Sequence, residues 1–207
     1  MTREEKISAH QKLTDKIISR ETEIAEDITE EIINFYDKKS ENWNNLIETI
    51  TSLMYISLKQ TYQITLQEAK NIYHIEIDLD KKITEEDIQP YLYNKDDLTL
   101  EERIEKHILE AKEKESYDQD DRNVLIFKEI RVLDNETLVV SHKLLKVAVK
   151  EKVEYGMVVG GGGCNRSCCS EGSNEWKPID EIEEPPYHPN CTCEIIYSDP
   201  EDDDEEL

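Results

Sequence analysis

Six residues close to the C-terminus are of types that bind soft metal ions. They fall into two short groups, Cys164, Cys168, Cys169 and His188, Cys191, Cys193. A structural zinc site takes four thiolates or imidazoles from two such groups, and the loop between the groups brings them together. The stretch 170–187 is long enough to be that loop. The pattern predicts one structural zinc per chain, held by Cys164, by Cys168 or Cys169, and by two ligands of the second group.

Two other interpretations of the cysteines stay open. One is a reduced or redox-labile cluster that packs without metal, since intracellular cysteines are mostly reduced and Cys-x3-Cys-Cys differs from the Cys-x2-Cys of common zinc ribbons. The other is a catalytic cysteine. A nucleophilic thiolate needs a neighbouring base and an electropositive setting, whereas the segment 180–184 carries four acids. We therefore expect the chain not to be an enzyme.

Glycine, proline and cysteine are unevenly distributed along the chain, and this distribution predicts the secondary structure that positions the six Cys and His residues. All six glycines lie at or after Gly156, five of the six prolines at or after Pro178, and all five cysteines at or after Cys164. Glycine and proline break helices, so their near absence earlier favours helix. We predict a mainly α-helical fold: a helical body over 1–157, a small Cys/His-rich module with β-structure over 158–198, and a disordered acidic tail over 199–207. The glycine run 160–163 is expected to be a hinge or a close-approach loop.

Two long stretches carry apolar residues at helical spacing and predict a helical hairpin. The first stripe comprises Leu13, Ile17, Ile24, Ile28, Ile32 and Phe35. The second comprises Leu46, Ile50, Leu53, Met54, Ser57 and Leu58, in a helix that we expect to end near Tyr73. Spacings of three, four and seven place each set on one helix face.

Four further helices are predicted after the hairpin. Thr84 and Thr99 are each followed by acids, a pattern typical of capped helix starts, and the helices are expected near 85–93 and 100–116. Two more are expected near 122–133 and 136–155, with Gly156 ending the last one in the left-handed conformation. We also expect a short strand over 191–197, which would place Cys191 and Cys193 on one face.

The sequence predicts less specific roles for the remaining histidines and for two aromatic residues. Exposed or helix-capping roles are expected for His10, His74 and His107. His142 lies on an apolar stripe, which predicts a hydrogen-bonded residue at the edge of the core. Trp176 and Tyr187 flank the cysteine loop and either cover the cluster or anchor a partner protein.

Charge and hydropathy exclude several classes of protein. The net charge is −24, and the body, the Cys/His-rich module and the tail are each acidic. Binding to phosphate backbones gains its free energy from Lys and Arg, so we expect no nucleic-acid binding by the isolated chain.

The sequence has neither an apolar run of 18 residues nor a signal-peptide core, so we expect an intracellular chain with no membrane span. Leu, Ile, Val and Phe make up about a quarter of the residues, more than the roughly 20% below which chains tend to be disordered.

Two segments near the C-terminus carry a family resemblance. The sequences WKPI (176–179) and PPYHPNCTCE (185–194) resemble the C-terminal signature of the phage Mu F-like head morphogenesis family, the phage minor head proteins. In that family a Cys pair precedes a short loop, and a Pro-rich turn with His-Pro-x-Cys-x-Cys closes the module. LTLEERI (98–104) resembles the family's TLSERI helix start, and 131–156 resembles its final helix. The resemblance covers about residues 40–197. Here Cys-x3-Cys-Cys replaces the usual Cys-x2-Cys, and Thr192 replaces Arg.

The resemblance implies a structural role in the virion. Minor head proteins lie near the portal vertex and act in capsid assembly and in DNA packaging or delivery. The expected partners are the portal and the capsid or scaffold proteins, and the acidic surface would suit a basic patch on one of them. By the same resemblance, His188, Cys191 and Cys193 match the family motif position by position. The alternatives are a zinc-module nuclease or toxin domain and a protein-binding regulatory protein.

Overall fold

The computed structural model describes residues 3–93, 98–159, 175–182 and 193–198. In these ranges the protein is mainly helical and has a small three-stranded antiparallel sheet at its C-terminal end, as the sequence predicts. The helices are α1 (Arg3–Asp37), α2 (Trp43–Tyr73), α3 (Glu85–Ile88), α4 (Leu100–Glu113) and α5 (Gln119–Val149). The strands are β1 (Tyr155–Val159), β2 (Trp176–Pro178) and β3 (Glu194–Tyr197). Among the described helices, none is both long and apolar enough to cross a membrane.

Helices α1 and α2 form the predicted hairpin, and α5 packs against both of them. Every residue of the predicted α1 stripe is buried. The predicted α2 stripe is also buried, except that Leu53 is only partly covered. The stripes pack against each other because removing apolar surface from water is the main favourable term in folding.

The turn between α1 and α2 is fixed by backbone and aromatic contacts. Lys39 adopts φ 48°, and the amide of Ser40 donates to the carbonyl of Phe35 at 3.0 Å, which closes the end of α1. Asn42 caps α2 by accepting from the amide of Asn45 at 3.2 Å. The rings of Phe35 and Trp43 lie 4.5 Å apart between centroids and hold the two helix ends together.

The two predicted capping boxes are present. The hydroxyl of Thr84 accepts from the amide of Asp87, whose carboxylate accepts from the amide of Thr84 in return, and α3 follows. Thr99 and Glu102 make the same reciprocal pair at the start of α4. Each box satisfies amide groups that the helix itself leaves without partners.

The prediction of two helices over 122–133 and 136–155 is wrong, because α5 is continuous from Gln119 to Val149. Glu136 is not a helix start but a buried residue at mid-helix. Its carboxylate pairs with the guanidinium of Arg103 and accepts from the amide of Tyr93 at 2.8 Å. Thr137 also lies at mid-helix, and its hydroxyl is 3.1 Å from the carbonyl of Leu133, four residues earlier.

Gly156 does not end a helix either, and that prediction is also wrong. Helix α5 ends at Val149, and Gly156 lies in β1. A Cβ atom at Gly156 would meet Ile182 Cδ1 at 2.6 Å and Tyr197 Cδ1 at 3.0 Å. A larger residue here would displace the side chains of Ile182 and Tyr197, which approach the backbone closely. The glycine run 160–163 and the tail 199–207 lie outside the described residues.

The sheet has the strand order β2–β1–β3, and both neighbours pair antiparallel with β1. The predicted strand over 191–197 is shorter in the structure and begins at Glu194. The sheet packs against the N-terminal part of α1 and the C-terminal parts of α2 and α5. The apolar residues buried in this second core are Leu13, Ile17, Ala69, Ile75, Leu145, Val149, Ile179, Ile182, Ile195 and Tyr197.

A buried polar network also joins β3 to the helices. The amide of Tyr197 donates to the hydroxyl oxygen of Tyr73 at 3.1 Å. Tyr73 Oη lies 2.7 Å from His10 Nε2, within hydrogen-bond distance. At the start of α1, Lys6 Nζ donates to Ser198 Oγ. These bonds satisfy polar groups that are costly to bury alone.

The outcomes for three of the histidines differ. The prediction for His10 is wrong, because this residue is 97% buried. The prediction for His107 is also wrong, since the side chain is largely covered and lies 3.0 Å from the buried carboxylate of Glu129. His74 does cap a helix: it ends α2 with φ 53° and is exposed, as predicted.

We predict that Tyr73→Phe lowers the free energy of unfolding by about 1–3 kcal/mol, because it leaves the amide of Tyr197 and Nε2 of His10 buried without this partner. Tyr36→Phe is the matched control. The Tyr36 hydroxyl is buried and has no hydrogen-bond partner among the described residues, so we expect a change within about 0.5 kcal/mol. Urea denaturation of the two variants measures the difference, and equal effects would contradict the network.

Candidate functional site

The structure describes one of the six predicted metal ligands. Cys193 is 98% buried and lies immediately before β3. The other five lie outside the described residues: Cys164, Cys168, Cys169, His188 and Cys191. Within the described ranges, no group of three or more His, Cys, Asp or Glu residues is placed to hold a metal ion. If Cys193 binds zinc, its companion ligands therefore come from those five residues.

Cys193 lines a cavity of about 270 Å³ between α1, α5 and the start of β3. Helix α1 contributes Thr14, Ile18 and Glu21, and helix α5 contributes Arg131, Asp134, Asn135, Leu138 and His142. Glu194 completes the lining beside Cys193. Titratable side chains from three elements therefore line this cavity.

Two carboxyl groups meet at the wall of this cavity. Glu21 of α1 is hydrogen-bonded to Asp134 of α5. Thr137 Oγ1 of α5 donates to Glu21 Oε2 at 2.5 Å. Glu21 therefore links α1 to α5 through both residues.

Burial and the neighbouring acid raise the pKa of Glu21. The pKa is about 8, against an ordinary 4.5, because burial disfavours the charged carboxylate and because the bond to Asp134 favours the protonated form. The bond to Thr137 opposes the rise, and the charge of Asp134 adds to it. Burial also raises the pKa of Glu194 on the opposite wall.

His142 also lines the cavity. It is buried, in keeping with its predicted place on an apolar stripe. On the neighbouring helix, the pKa of His10 is lowered to about 3 by burial and then by the charges of His142 and Lys6. His10 is therefore neutral at physiological pH.

Sequence reasoning missed Glu21 and Asp134 as site residues. A signal for Glu21 is present, since it lies four residues after Ile17 and three before Ile24, on the same buried stripe. A polar residue at such a position is covered by its neighbours and needs a partner. His10 carries the same signal, three residues before Leu13. The identity of the partners depends on how α1 meets α5 and β3, which the sequence pattern does not specify.

The chemistry of the cavity suits recognition of a cation. Its carboxyl groups are hydrogen-bond acceptors once ionised, and Ile18 and Leu138 supply apolar walls. Trp176, which we expected to cover the cysteine loop or to anchor a partner, is half-buried in β2. Tyr187 lies outside the described residues.

We predict that Glu21 makes the protein less stable as pH rises from about 5 to about 8. Over this window the folded chain retains a proton on Glu21 that the unfolded chain has lost, so the free energy of unfolding falls. Glu21→Gln keeps a donor toward Asp134 and cannot ionise. We therefore expect it to be more stable than wild type at pH 8.5, by on the order of 2 kcal/mol.

Urea denaturation at a series of pH values measures this effect, and the difference between variant and wild type isolates Glu21 from other titrating groups. Glu26→Gln is the matched control, because Glu26 is exposed on the same helix. A wild-type pH dependence in Glu21→Gln would refute the raised pKa of Glu21.

Comparison of the chain with family models, with curated proteins and with solved structures finds no match. The residues that carry the resemblance to minor head proteins lie partly in the described ranges. Trp176, Lys177 and Pro178 form β2, and Glu194 begins β3. Both strands pair with β1. The assignment to that family rests on the motif residues.

Proposed function

We propose that the protein is a phage minor head protein, a non-enzymatic structural component of the virion. In this role it lies near the portal vertex, binds the portal and the capsid or scaffold proteins, and acts in capsid assembly and in DNA packaging or delivery. The family comes from the sequence resemblance. The protein-binding part of the proposal is supported by the surface of α5.

The observation that carries the proposal is an exposed apolar face near the start of α5. Phe127 is 61% exposed and Val124 is 47% exposed, and the two lie three residues apart on the same face. The guanidinium of Arg131 lies 5.4 Å from the centre of the Phe127 ring. Aromatic and arginine side chains are enriched among the residues that dominate protein–protein binding energy. Such a face is suited to another protein.

The charge of the chain favours a basic partner surface. At a net charge of −24, acidic groups around an apolar contact speed the encounter with a positive patch and discourage contact with DNA. We expect added salt to slow association and to leave an assembled complex stable, because rim charges act mainly on the association rate.

The decisive experiment is co-purification with the portal protein encoded in the same genome. We predict that the wild-type chain is retained on portal rings and that Phe127→Glu lowers its affinity at least about tenfold. Ile56→Glu is the control, because Ile56 is 45% exposed on α2 and lies outside the α5 face. Circular dichroism verifies that both variants stay helical.

Two outcomes would count against the proposal. Absence of the wild-type chain from purified virions, together with normal infectivity of a phage lacking the gene, would remove the assignment to the head. Equal retention of Phe127→Glu and wild type would place the contact elsewhere on the chain.

A structural zinc ion in the Cys/His-rich module belongs to the same proposal. Cys193 is a buried thiol where β3 joins the second core, so a ligand there would tie the module to the body. We predict about one zinc per chain by elemental analysis of protein purified without chelator, and loss of metal in the Cys191→Ser, Cys193→Ser double variant. Less than about 0.2 zinc per chain would contradict the site.

A further inference from the structure

The cavity beside Cys193 continues into the exposed apolar face of α5. Val124, Phe127, Arg131, Asp134 and Leu138 follow one another at spacings of three and four, so they lie along a single stripe of the helix. The first two residues are the exposed apolar face, and the last three line the cavity. Phe127 and Asp134 are seven residues apart, or about 10 Å along the helix axis. One partner segment could contact both regions at once.

The size and the walls of the cavity fit a single long side chain. Its volume of about 270 Å³ is below the roughly 300–1,000 Å³ of typical small-molecule sites. Ile18 of α1 and Leu138 of α5 form apolar walls, and Ile18 remains 48% exposed. The carboxyl groups of Glu21, Asp134 and Glu194 supply polar ends. Lysine and arginine combine an apolar stem with a charged head and match this arrangement.

The charges in the cavity favour a cation. Three elements contribute its titratable groups, which are Glu21, Arg131, Asp134, His142, Cys193 and Glu194. Three of these groups are carboxyls and one is a guanidinium. That guanidinium stacks on Phe127 and makes no salt bridge within the described residues. An incoming ammonium or guanidinium group can replace the proton of Glu21, which leaves a carboxylate to pair with it.

We propose that this cavity binds a lysine or arginine side chain of a partner protein that lies along α5 and places an apolar residue against Phe127. The identity of the partner as a head protein rests on the proposed function. The chemistry of the site does not, because it follows from the cavity and its lining. The basic side chain and the apolar residue are expected about 10 Å apart on the partner, to match the spacing along α5.

The direct test is titration with n-butylammonium chloride, an analogue of the lysine side chain, at about pH 8.5, where most of the Glu21 carboxyl is ionised. The methyl NMR signals of Ile18 and Leu138 report binding. We expect saturable shifts with a dissociation constant on the order of millimolar, as suits a ligand of five heavy atoms. We expect n-butanol, which has the same length and no charge, to bind at least about tenfold more weakly.

The variant Glu21→Gln, Asp134→Asn keeps the shape of the cavity and removes its charge, so n-butylammonium binding should weaken at least about tenfold. The matched control is Glu26→Gln, Asp27→Asn, which removes two exposed acids from α1 and should bind as wild type does. Equal affinity for n-butylammonium and n-butanol would overturn the proposal. So would the absence of any shift at about 100 mM, or an unchanged affinity in the Glu21→Gln, Asp134→Asn variant.

Portal co-purification separates this proposal from the proposed function. If n-butylammonium binds as expected and the wild-type chain is not retained on portal rings, the cation site stands and the head assignment falls. If the portal retains the wild-type chain and the Glu21→Gln, Asp134→Asn variant equally, and n-butylammonium does not bind, the head assignment stands and the cation site falls.

Discussion

Burial of the apolar stripe on α1 is the constraint on which the rest of the structure depends. The stripe runs nearly the full length of the helix and enters two cores. Ile24, Ile28, Ile32 and Phe35 belong to the core shared with α2, α4 and α5, and Leu13 and Ile17 are the residues of α1 that pack in the core beneath the sheet. Burying a side chain of this size contributes about 1.5–3 kcal/mol. Helix α1 thus packs in both cores, as α2 and α5 also do.

The polar residues on the same stripe give the sheet its position. An apolar contact alone tolerates sliding, because the hydrophobic effect has no direction. Hydrogen bonds from the amide of Tyr197 to Tyr73 and from Lys6 to Ser198 are directional, and they form only when β3 lies in one place. Between the sheet and the bundle, packing leaves the cavity beside Glu21 unfilled. Helix α1 therefore contributes apolar contacts to the sheet, a hydrogen bond that fixes the position of β3, and one wall of the cavity.

The sequence predicts those parts of the fold that follow from neighbours along the chain. The two stripes and the Thr84 and Thr99 capping boxes depend on residues three or four positions apart, and all are present. The break expected before Glu136 is absent, and α5 is continuous through this residue. The carboxylate of Glu136 pairs with Arg103 of α4, which lies 33 positions earlier in the chain. Gly156 was expected to end a helix. In the structure it lies in β1, where the side chains of Ile182 and Tyr197, both distant in sequence, leave little room for a Cβ atom. Glu21 meets Asp134 across the bundle for the same kind of reason, so local patterns could not identify the cavity.

The contact between Lys6 and Ser198 has a consequence for the order of folding. It joins residues 192 positions apart, so forming it closes almost the whole chain into one loop. The entropy cost of closure rises with loop length, and contacts between distant residues slow folding. The α1–α2 hairpin needs only a five-residue turn and can form early. We therefore expect the sheet to dock after α1, α2 and α5 have assembled the surface that receives it.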